Sequence, residues 1–187
     1  MRRPEKLLLV FFGMIATGKS YLASHWAKQY KLPCYNSDRI RKKLAGMRPE
    51  TGQQEDVDQG IYTPEFSRLT YDTLIDHAEK HFREDPQAVV VLDGSYQSLA
   101  ERELLRKTFS GRVRLEFVHC FCSEDVIKER LQKRAVDPDA VSDGTWEIYQ
   151  AQKKRFQPVS AQEEVMEINT DAPVAELLQK VSDTILA

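Results

Sequence analysis

Cysteine is scarce in this chain, with three residues in 187. Cys34, Cys120 and Cys122 are an odd number without the spacing of a metal site, so we expect neither a disulfide framework nor a zinc centre. Cys120 and Cys122 lie in one apolar run and are predicted to pack as small core residues. Because disulfides and a targeting signal are both missing, we expect a cytoplasmic protein.

Long apolar runs and an excess of charge of one sign are also missing. No run approaches the ~20 residues of a transmembrane helix, so we expect no membrane span. Lys and Arg number 27 against 29 Asp and Glu, which gives a net charge of −2. This balance argues against duplex nucleic acid as a partner, whereas a local groove for a single-stranded 5′ end stays open. Chain length predicts about one domain.

Apolar runs alternate with helical patterns along the chain. Continuous apolar runs are typical of strands buried on both faces of a parallel sheet. They fall at 7–12, 33–36, 88–92, 113–122 and 165–168. Helical patterns fall at 19–30, 99–109, 123–134, 142–156 and 173–186, and a further helix begins at Pro64 after an N-cap at Thr63. We predict an α/β fold with a parallel sheet of about five strands in the order 2-3-1-4-5 and helices on both faces.

The first strand runs into a glycine-rich loop, Gly-Met-Ile-Ala-Thr-Gly-Lys-Ser, at 13–20. It matches G-x-x-x-x-G-K-[ST], the phosphate-binding loop (P-loop) between a strand and a helix. Glycine lets the backbone approach a phosphate, and the helix N-terminus adds positive potential. Lys19 is predicted to bind the β- and γ-phosphates of ATP, and Ser20 to bind Mg²⁺. Ala16 stands where related loops often carry glycine. The predicted nucleotide contacts here are Gly13, Ala16, Thr17, Gly18, Lys19, Ser20 and Tyr21.

An acid and an arginine follow the second strand. Ligands of parallel sheets bind at the carboxyl ends of the strands, so Asp38 is expected to lie across from the P-loop. There it would accept the proton of a substrate hydroxyl as the oxygen attacks the γ-phosphorus. Arg41 lies one helical turn further on and would bind an anionic group of the substrate. The alternatives are a helix cap for Asp38 and a solvated charge for Arg41.

Two later segments carry further candidate site residues. Asp93 ends a hydrophobic strand and is predicted to hold Mg²⁺ through water, or to orient Lys19 or the substrate. A turn residue is the alternative for Asp93. Arg130 and Arg134 share one face of a helix and are predicted to contact ATP and to stabilise the charge of the transferring phosphate. For them the alternative is a salt-bridged helix surface.

Two polar segments fit neither a helix nor a strand. One spans 46–62 and the other follows the helix that ends at Arg134. Long irregular segments inside a compact domain are usually lids or binding loops. We predict that 46–62 contacts the acceptor and that 134–143 forms a lid.

Signatures of other P-loop classes are missing. The chain has no N-K-x-D or T-K-x-D guanine motif and no L-S-G-G-Q motif, and it is too short for a two-domain helicase motor. A P-loop by itself indicates a nucleotide and not a function. Small nucleotide-dependent kinases remain as the class that fits.

These residues together resemble the P-loop kinases grouped with polynucleotide kinase and zeta toxin, over roughly 7–156. The shared features are the Lys-Ser of the loop, an Asp-x-x-Arg after the second strand, a strand-terminal Asp and a Lys-Arg pair before the lid. The resemblance implies that Asp38 is the general base, that Arg41 contacts a substrate phosphate and that Arg134 contacts the ATP phosphates.

Two other families share parts of the pattern. Segments 37–46 and 60–65 resemble kinase-type ATP-binding domains that are fused to aminoglycoside-phosphotransferase-like domains in bacterial proteins. The loop and the Asp after the second strand are similar to those of dephospho-coenzyme A kinases, but the rest of the chain does not follow that family.

The sequence therefore predicts that residues 1–187 form one P-loop kinase domain. It would use ATP and Mg²⁺ to phosphorylate a hydroxyl of a small metabolite or antibiotic-like acceptor. The predicted catalytic residues are Asp38, Lys19 and Arg134, with Asp38, Arg41 and Asp93 near the acceptor and Ser20 and Asp93 near the metal. Two alternatives stay open: a polynucleotide 5′-hydroxyl kinase, and a regulatory ATP-binding module without an acceptor.

Overall fold

A parallel sheet lies at the centre of the fold in the computed structural model, which describes residues 6–48, 60–135 and 144–186. Within these ranges the strands are β1 (Leu7–Phe12), β2 (Cys34–Asn36), β3 (Val89–Gly94), β4 (Arg114–Phe121) and β5 (Met166–Asn169). Their order is β2-β3-β1-β4-β5, and every neighbouring pair is parallel. The predicted order is confirmed.

The helices follow the predicted alternation with the strands. They are α1 (Lys19–Tyr30), α2 (Ser37–Leu44), α3 (Pro64–Glu84), α4 (Leu99–Phe109), α5 (Glu124–Ala135), α6 (Trp146–Arg155) and α7 (Val174–Ile185). The start of α3 is as predicted, since Thr63 Oγ1 accepts a hydrogen bond from Phe66 N at 3.3 Å with Pro64 in the first turn. Helix α6 begins later than the predicted 142, behind an N-cap at Thr145.

Helix α2 was not predicted as a separate helix. It is only eight residues long and contains two apolar residues, Ile40 and Leu44, which are too few to define a helical pattern. Asn36 is its N-cap, with a side chain that accepts a hydrogen bond from Arg39 N at 2.9 Å. Asp38 lies in the first helical turn, so the helix-cap interpretation of Asp38 is wrong.

The two faces of β1 are both buried, which explains its unbroken apolar sequence. Leu8, Val10 and Phe12 pack in a cluster that includes side chains of α3 and α4. Leu7, Leu9 and Phe11 pack on the other face with α1 and α7. Burying one such side chain contributes about 1.5–3 kcal/mol. Helices thus cover both faces of the sheet, as predicted.

Tryptophan and cysteine contribute to this packing in different ways. Trp26 is fully buried between α1 and α7 and donates its Nε1–H to Ser182 Oγ at 3.1 Å, as expected of a packing residue. Cys120 is buried in β4. Cys122 is only half-buried and lies beyond the end of β4 at Phe121, so it does not share the strand face with Cys120.

The described residues contain no helix long and apolar enough to cross a lipid bilayer. Most of the predicted acceptor loop (46–62) and of the predicted lid (134–143) lies outside the described residues. The site is therefore built below from the sheet edge and the helices around it.

Candidate active site

The P-loop connects β1 to α1 and takes its shape from residues with positive φ. Gly13 has φ 144° and Gly18 has φ 84°. A Cβ on Gly13 would lie 2.3 Å from the carbonyl oxygen of Cys120, so only glycine fits against β4 there. Ala16 also lies in the left-handed region, at φ 61°. Its methyl group is buried in a cluster with Ile127 of α5, so this departure from glycine is accommodated by packing.

Hydrogen bonds from polar side chains stabilise the P-loop, both within the loop and from helix α6. Thr17 Oγ1 donates a hydrogen bond to Met14 O at 2.8 Å, and Lys19 Nζ donates to the same oxygen at 3.3 Å. Gln152 of α6 accepts a hydrogen bond from Ile15 N at 2.8 Å. The ammonium group of Lys19 therefore lies at the mouth of the loop, where a bound phosphate would meet it.

Asp93 is the next-to-last residue of β3 and lies beside the P-loop, 2% exposed. Its Oδ2 accepts a hydrogen bond from Asn36 Nδ2 at 2.6 Å. Burial raises the pKa of the Asp93 carboxyl, while the charge of Lys19 and the nearby Ser20 hydroxyl oppose the rise. Asn36 is not among the predicted site residues, although its position at the end of β2 was an available signal.

Ser20 and Asp93 form the predicted metal position. Asp93 Oδ1 has no hydrogen-bond partner among the described residues although it is buried. A carboxylate oxygen without a partner beside a hydroxyl supplies the hard oxygen donors that Mg²⁺ prefers, usually together with nucleotide phosphates and water. The residues present therefore fit Mg²⁺.

Arg41 is buried and joins α2 to the start of α3. Its Nη1 donates to Ile61 O at 2.7 Å and to Ser67 Oγ at 3.0 Å, and its guanidinium lies 5.1 Å from the centre of the Tyr62 ring. With 6% exposure, Arg41 is not the solvated surface charge of the alternative interpretation. Its Nε is buried and has no hydrogen-bond partner among the described residues.

The two arginines of α5 take different positions. Arg130 Nη2 donates to Thr170 O at 2.7 Å, and Nη1 donates to Ala16 O at 3.2 Å and to Thr170 Oγ1 at 3.0 Å. Arg130 thus ties α5 to the P-loop and to the turn after β5. Arg134 lines the cavity. Burial and the charge of Arg130 lower the pKa of Arg134, and the negative charge of Asp38 opposes this effect. Arg134 and Asp38 are therefore close enough to interact electrostatically.

One cavity of about 1210 Å³ joins these groups. It is larger than the ~300–1,000 Å³ of an ordinary ligand pocket, so it has room for a nucleotide and a second molecule. Predicted site residues in its wall are Ala16, Gly18, Lys19, Ser20, Tyr21, Asp38, Arg41, Asp93 and Arg134. The wall also contains Tyr71, Tyr96, Gln97 and Arg155, which are not among the predicted site residues.

We expect Gly13→Ala to weaken ATP binding by about tenfold or more, because the added Cβ would collide with the β4 backbone and displace the loop. Titration of a fluorescent ATP analogue measures the loss. Gly111→Ala is the matched control, since Gly111 also has positive φ (68°) but nothing lies within 4 Å of its Cβ position. Equal binding by the Gly13 variant and the wild type would show that the loop is not shaped as described.

The strand, the phosphate loop, the helix and the acid across the cavity together define a P-loop nucleotide-binding protein. A family model described as an AAA domain matches residues 8–159. Because the match covers most of the chain, the protein belongs to this AAA domain family. Among curated protein sequences, none matches the chain.

Several solved structures with a similar fold are described as kinases. A sugar kinase from Janibacter sp. is 17% identical with a TM-score of 0.68, over 96% of this chain and 94% of that one. APS kinase from Mycobacterium tuberculosis, in complex with AMPPNP and APS, is 17% identical with a TM-score of 0.68, over 99% and 100%. A gluconokinase from Sinorhizobium meliloti is 18% identical with a TM-score of 0.62, over 99% and 98%. At these identities the likeness shows the P-loop kinase fold.

Proposed function

We propose that this protein is an ATP-dependent kinase that transfers the γ-phosphoryl group of ATP to a hydroxyl of a small acceptor. The observation that carries the proposal is that Lys19 of the P-loop and Asp38 of α2 line the same cavity. A nucleotide switch needs the loop but has no need of a carboxylate placed for a second substrate.

The proposed reaction uses groups on both sides of the cavity. The acceptor oxygen forms a bond to the γ-phosphorus, the bond from that phosphorus to the β,γ-bridging oxygen breaks, and ADP leaves with that electron pair. Asp38 takes the proton of the acceptor hydroxyl. Lys19 and Arg134 offset the negative charge of the phosphates, and the loop backbone orients them.

The remaining predicted residues take supporting roles in this proposal. Ser20 and Asp93 would hold Mg²⁺, which when bound neutralises phosphate charge and orients the nucleotide. Arg130 fixes the loop on the nucleotide side, and Arg41 contacts the acceptor. Gly13, Thr17 and Gly18 shape the cradle, and Tyr21, which is 57% exposed on α1, borders it.

The similar folds support a small acceptor. Two of the structures reported above are a sugar kinase and a gluconokinase, and a third holds AMPPNP and APS. The net charge of −2 also gives no general attraction for a polyanion. A polynucleotide 5′-hydroxyl remains the alternative acceptor, and the experiment below separates the two.

The test is label transfer from γ-labelled ATP with Mg²⁺ into a mixture of a 5′-hydroxyl oligonucleotide and a small-metabolite extract. Products are separated by size, and Asp38→Asn is the control protein. We expect the label in a small product and none with the variant. Label in the oligonucleotide would establish the alternative acceptor. Label released only as free phosphate would support a regulatory ATPase and overturn the kinase proposal.

A further inference from the structure

Tyr96 lies in the wall of the cavity with an unusual backbone conformation. It is 1% exposed, and its φ of 38° lies in the left-handed region that residues with a side chain seldom adopt. Tyr96 N donates to the Tyr71 hydroxyl at 3.3 Å, and Tyr96 O accepts a hydrogen bond from Arg102 Nη1 at 3.0 Å. Such strain persists where the surroundings over-determine it, and it clusters at ligand sites.

Packing and a hydrogen bond also fix Gly94 and Gln97, the neighbours of Tyr96 at the end of β3 and in the loop that follows. A Cβ on Gly94 would lie 3.0 Å from the ring of Tyr96 and 3.3 Å from that of Tyr71, so glycine leaves the room that the two rings need. Gln97 is held by its carbonyl, which accepts a hydrogen bond from Gln157 N at 2.9 Å. The loop therefore holds Tyr96 and Gln97 in place beside the cavity.

Besides Asp93 Oδ1 at the predicted metal position, three buried polar atoms of residues that line the cavity have no hydrogen-bond partner in residues 6–48, 60–135 and 144–186. They are the hydroxyl of Tyr96, Oε1 of Gln97 and Nε of Arg41. All three residues line the cavity that also contains Asp38. A buried polar atom without a partner is costly, and each one in a native structure calls for a reason. A ligand that reaches this wall, with a small adjustment of the side chains, would supply the missing partners.

We propose that Tyr96 and Gln97 bind a hydroxyl of the acceptor other than the one that is phosphorylated, so that the acceptor is a polyhydroxylated small molecule. This inference rests on the proposed kinase function, because it names the acceptor class for the same site.

The hydrogen-bonding types of the three atoms select this chemistry. Oε1 of Gln97 only accepts hydrogen bonds, and Nε of Arg41 only donates them. An ionised carboxylate satisfies Arg41 but has no proton for Gln97. An ammonium group donates to Gln97 but is repelled by Arg41. A hydroxyl both donates and accepts, so hydroxyl groups can partner each of the three atoms.

The experiment uses the labelled product that the wild-type protein makes from ATP and the metabolite extract. The product is identified by mass spectrometry, and its acceptor is then supplied in pure form to Tyr96→Phe and Gln97→Leu. We expect an acceptor with at least one hydroxyl besides the one that is phosphorylated. We also expect the KM for that acceptor to rise by about 10- to 100-fold in each variant while the KM for ATP stays unchanged.

Thermal unfolding provides a readout that a structural role would not give. Tyr96→Phe removes a buried hydroxyl without a partner, so we expect its melting temperature without acceptor to be about 2–4 °C higher than that of the wild type. Tyr35→Phe and Gln179→Leu are the matched controls. Tyr35 bonds His81, and Gln179 bonds Asp183 on α7, both apart from the cavity wall.

The outcomes separate the two proposals. An acceptor with a single hydroxyl, a labelled oligonucleotide, or an unchanged acceptor KM in both variants overturns the polyhydroxyl subsite and leaves the kinase function standing. Absence of any labelled product with the wild type overturns the kinase function and the subsite with it. A large rise in the KM for ATP would show that the two side chains act on the nucleotide instead.

Discussion

Asp38→Asn is expected to lower the rate of phosphoryl transfer by about 10²- to 10⁴-fold, the usual contribution of a general base. Asp38 lies in the first turn of α2, lines the cavity with Lys19, and its charge acts on Arg134. Asparagine keeps the shape of the side chain and one acceptor oxygen, but its amide cannot take up the proton of the acceptor hydroxyl. The lost step is therefore chemical, and the fold is retained.

The measurement is kcat with saturating acceptor, together with the Kd for ATP from calorimetry. We expect kcat to fall while the Kd for ATP changes by less than about threefold. Asp183→Asn is the control, because Asp183 lies on α7 and hydrogen-bonds Gln179 outside the cavity. Unchanged turnover in Asp38→Asn would remove Asp38 from the mechanism. An equal loss of ATP binding would instead make it part of the nucleotide site.

The parts of the site that are local in sequence could be predicted. The P-loop is a contiguous strand, loop and helix, and its spacing alone defines the cradle around Gly13 and Lys19. The strand order also followed, since right-handed crossovers and continuous apolar runs leave few arrangements of a parallel sheet. Placing Asp38 near the loop then required only the rule that ligands bind at the carboxyl ends of the strands.

The parts that depend on distant contacts could not be predicted. Arg102 and Glu163 form a buried ion pair although they are 61 positions apart, and each alone has the pattern of a surface charge. The wall residue Tyr96 depends on this pair through the hydrogen bond of its carbonyl to Arg102. Arg130 and Arg134 share one helix face, but among the described residues only Arg130 donates a hydrogen bond to the turn after β5, at Thr170 O. Helix periodicity could not predict this contact, because the turn is distant in sequence.

In α2, too, contacts with distant residues could not be predicted from the sequence. Spacing correctly placed Asp38 and Arg41 one turn apart, and both line the cavity. The contact of Arg41 with Ile61 and Ser67 depends on where α3 begins in space. The sequence thus predicted that Asp38 and Arg41 lie on the same side of a helix, but not the residues that hold Arg41 in place.

Replacing Glu163 by Gln is expected to destabilise the fold strongly, because it breaks a buried ion pair. Arg102 is fully buried, and its Nε and Nη2 donate to the Glu163 carboxylate at 2.6 and 3.1 Å. Arg106 Nη2 donates to Glu163 O at 2.7 Å. A neutral amide in place of the Glu163 carboxylate would leave the guanidinium of Arg102 buried without a counter-charge. We expect the free energy of unfolding at neutral pH to fall by about 3–5 kcal/mol.

The pH dependence of that loss identifies its cause. The hydrogen bond from Arg102 lowers the pKa of Glu163 from 4.5 to about 2 in the folded protein. A carboxyl with a lowered pKa contributes stability above its unfolded value, and this contribution disappears as the pH falls toward about 2. Urea unfolding of the wild type and of Glu163→Gln should therefore differ most near neutral pH and converge in acid. Glu176→Gln, an exposed change on α7, should follow the wild type throughout, and a constant difference at all pH values would assign the loss to packing.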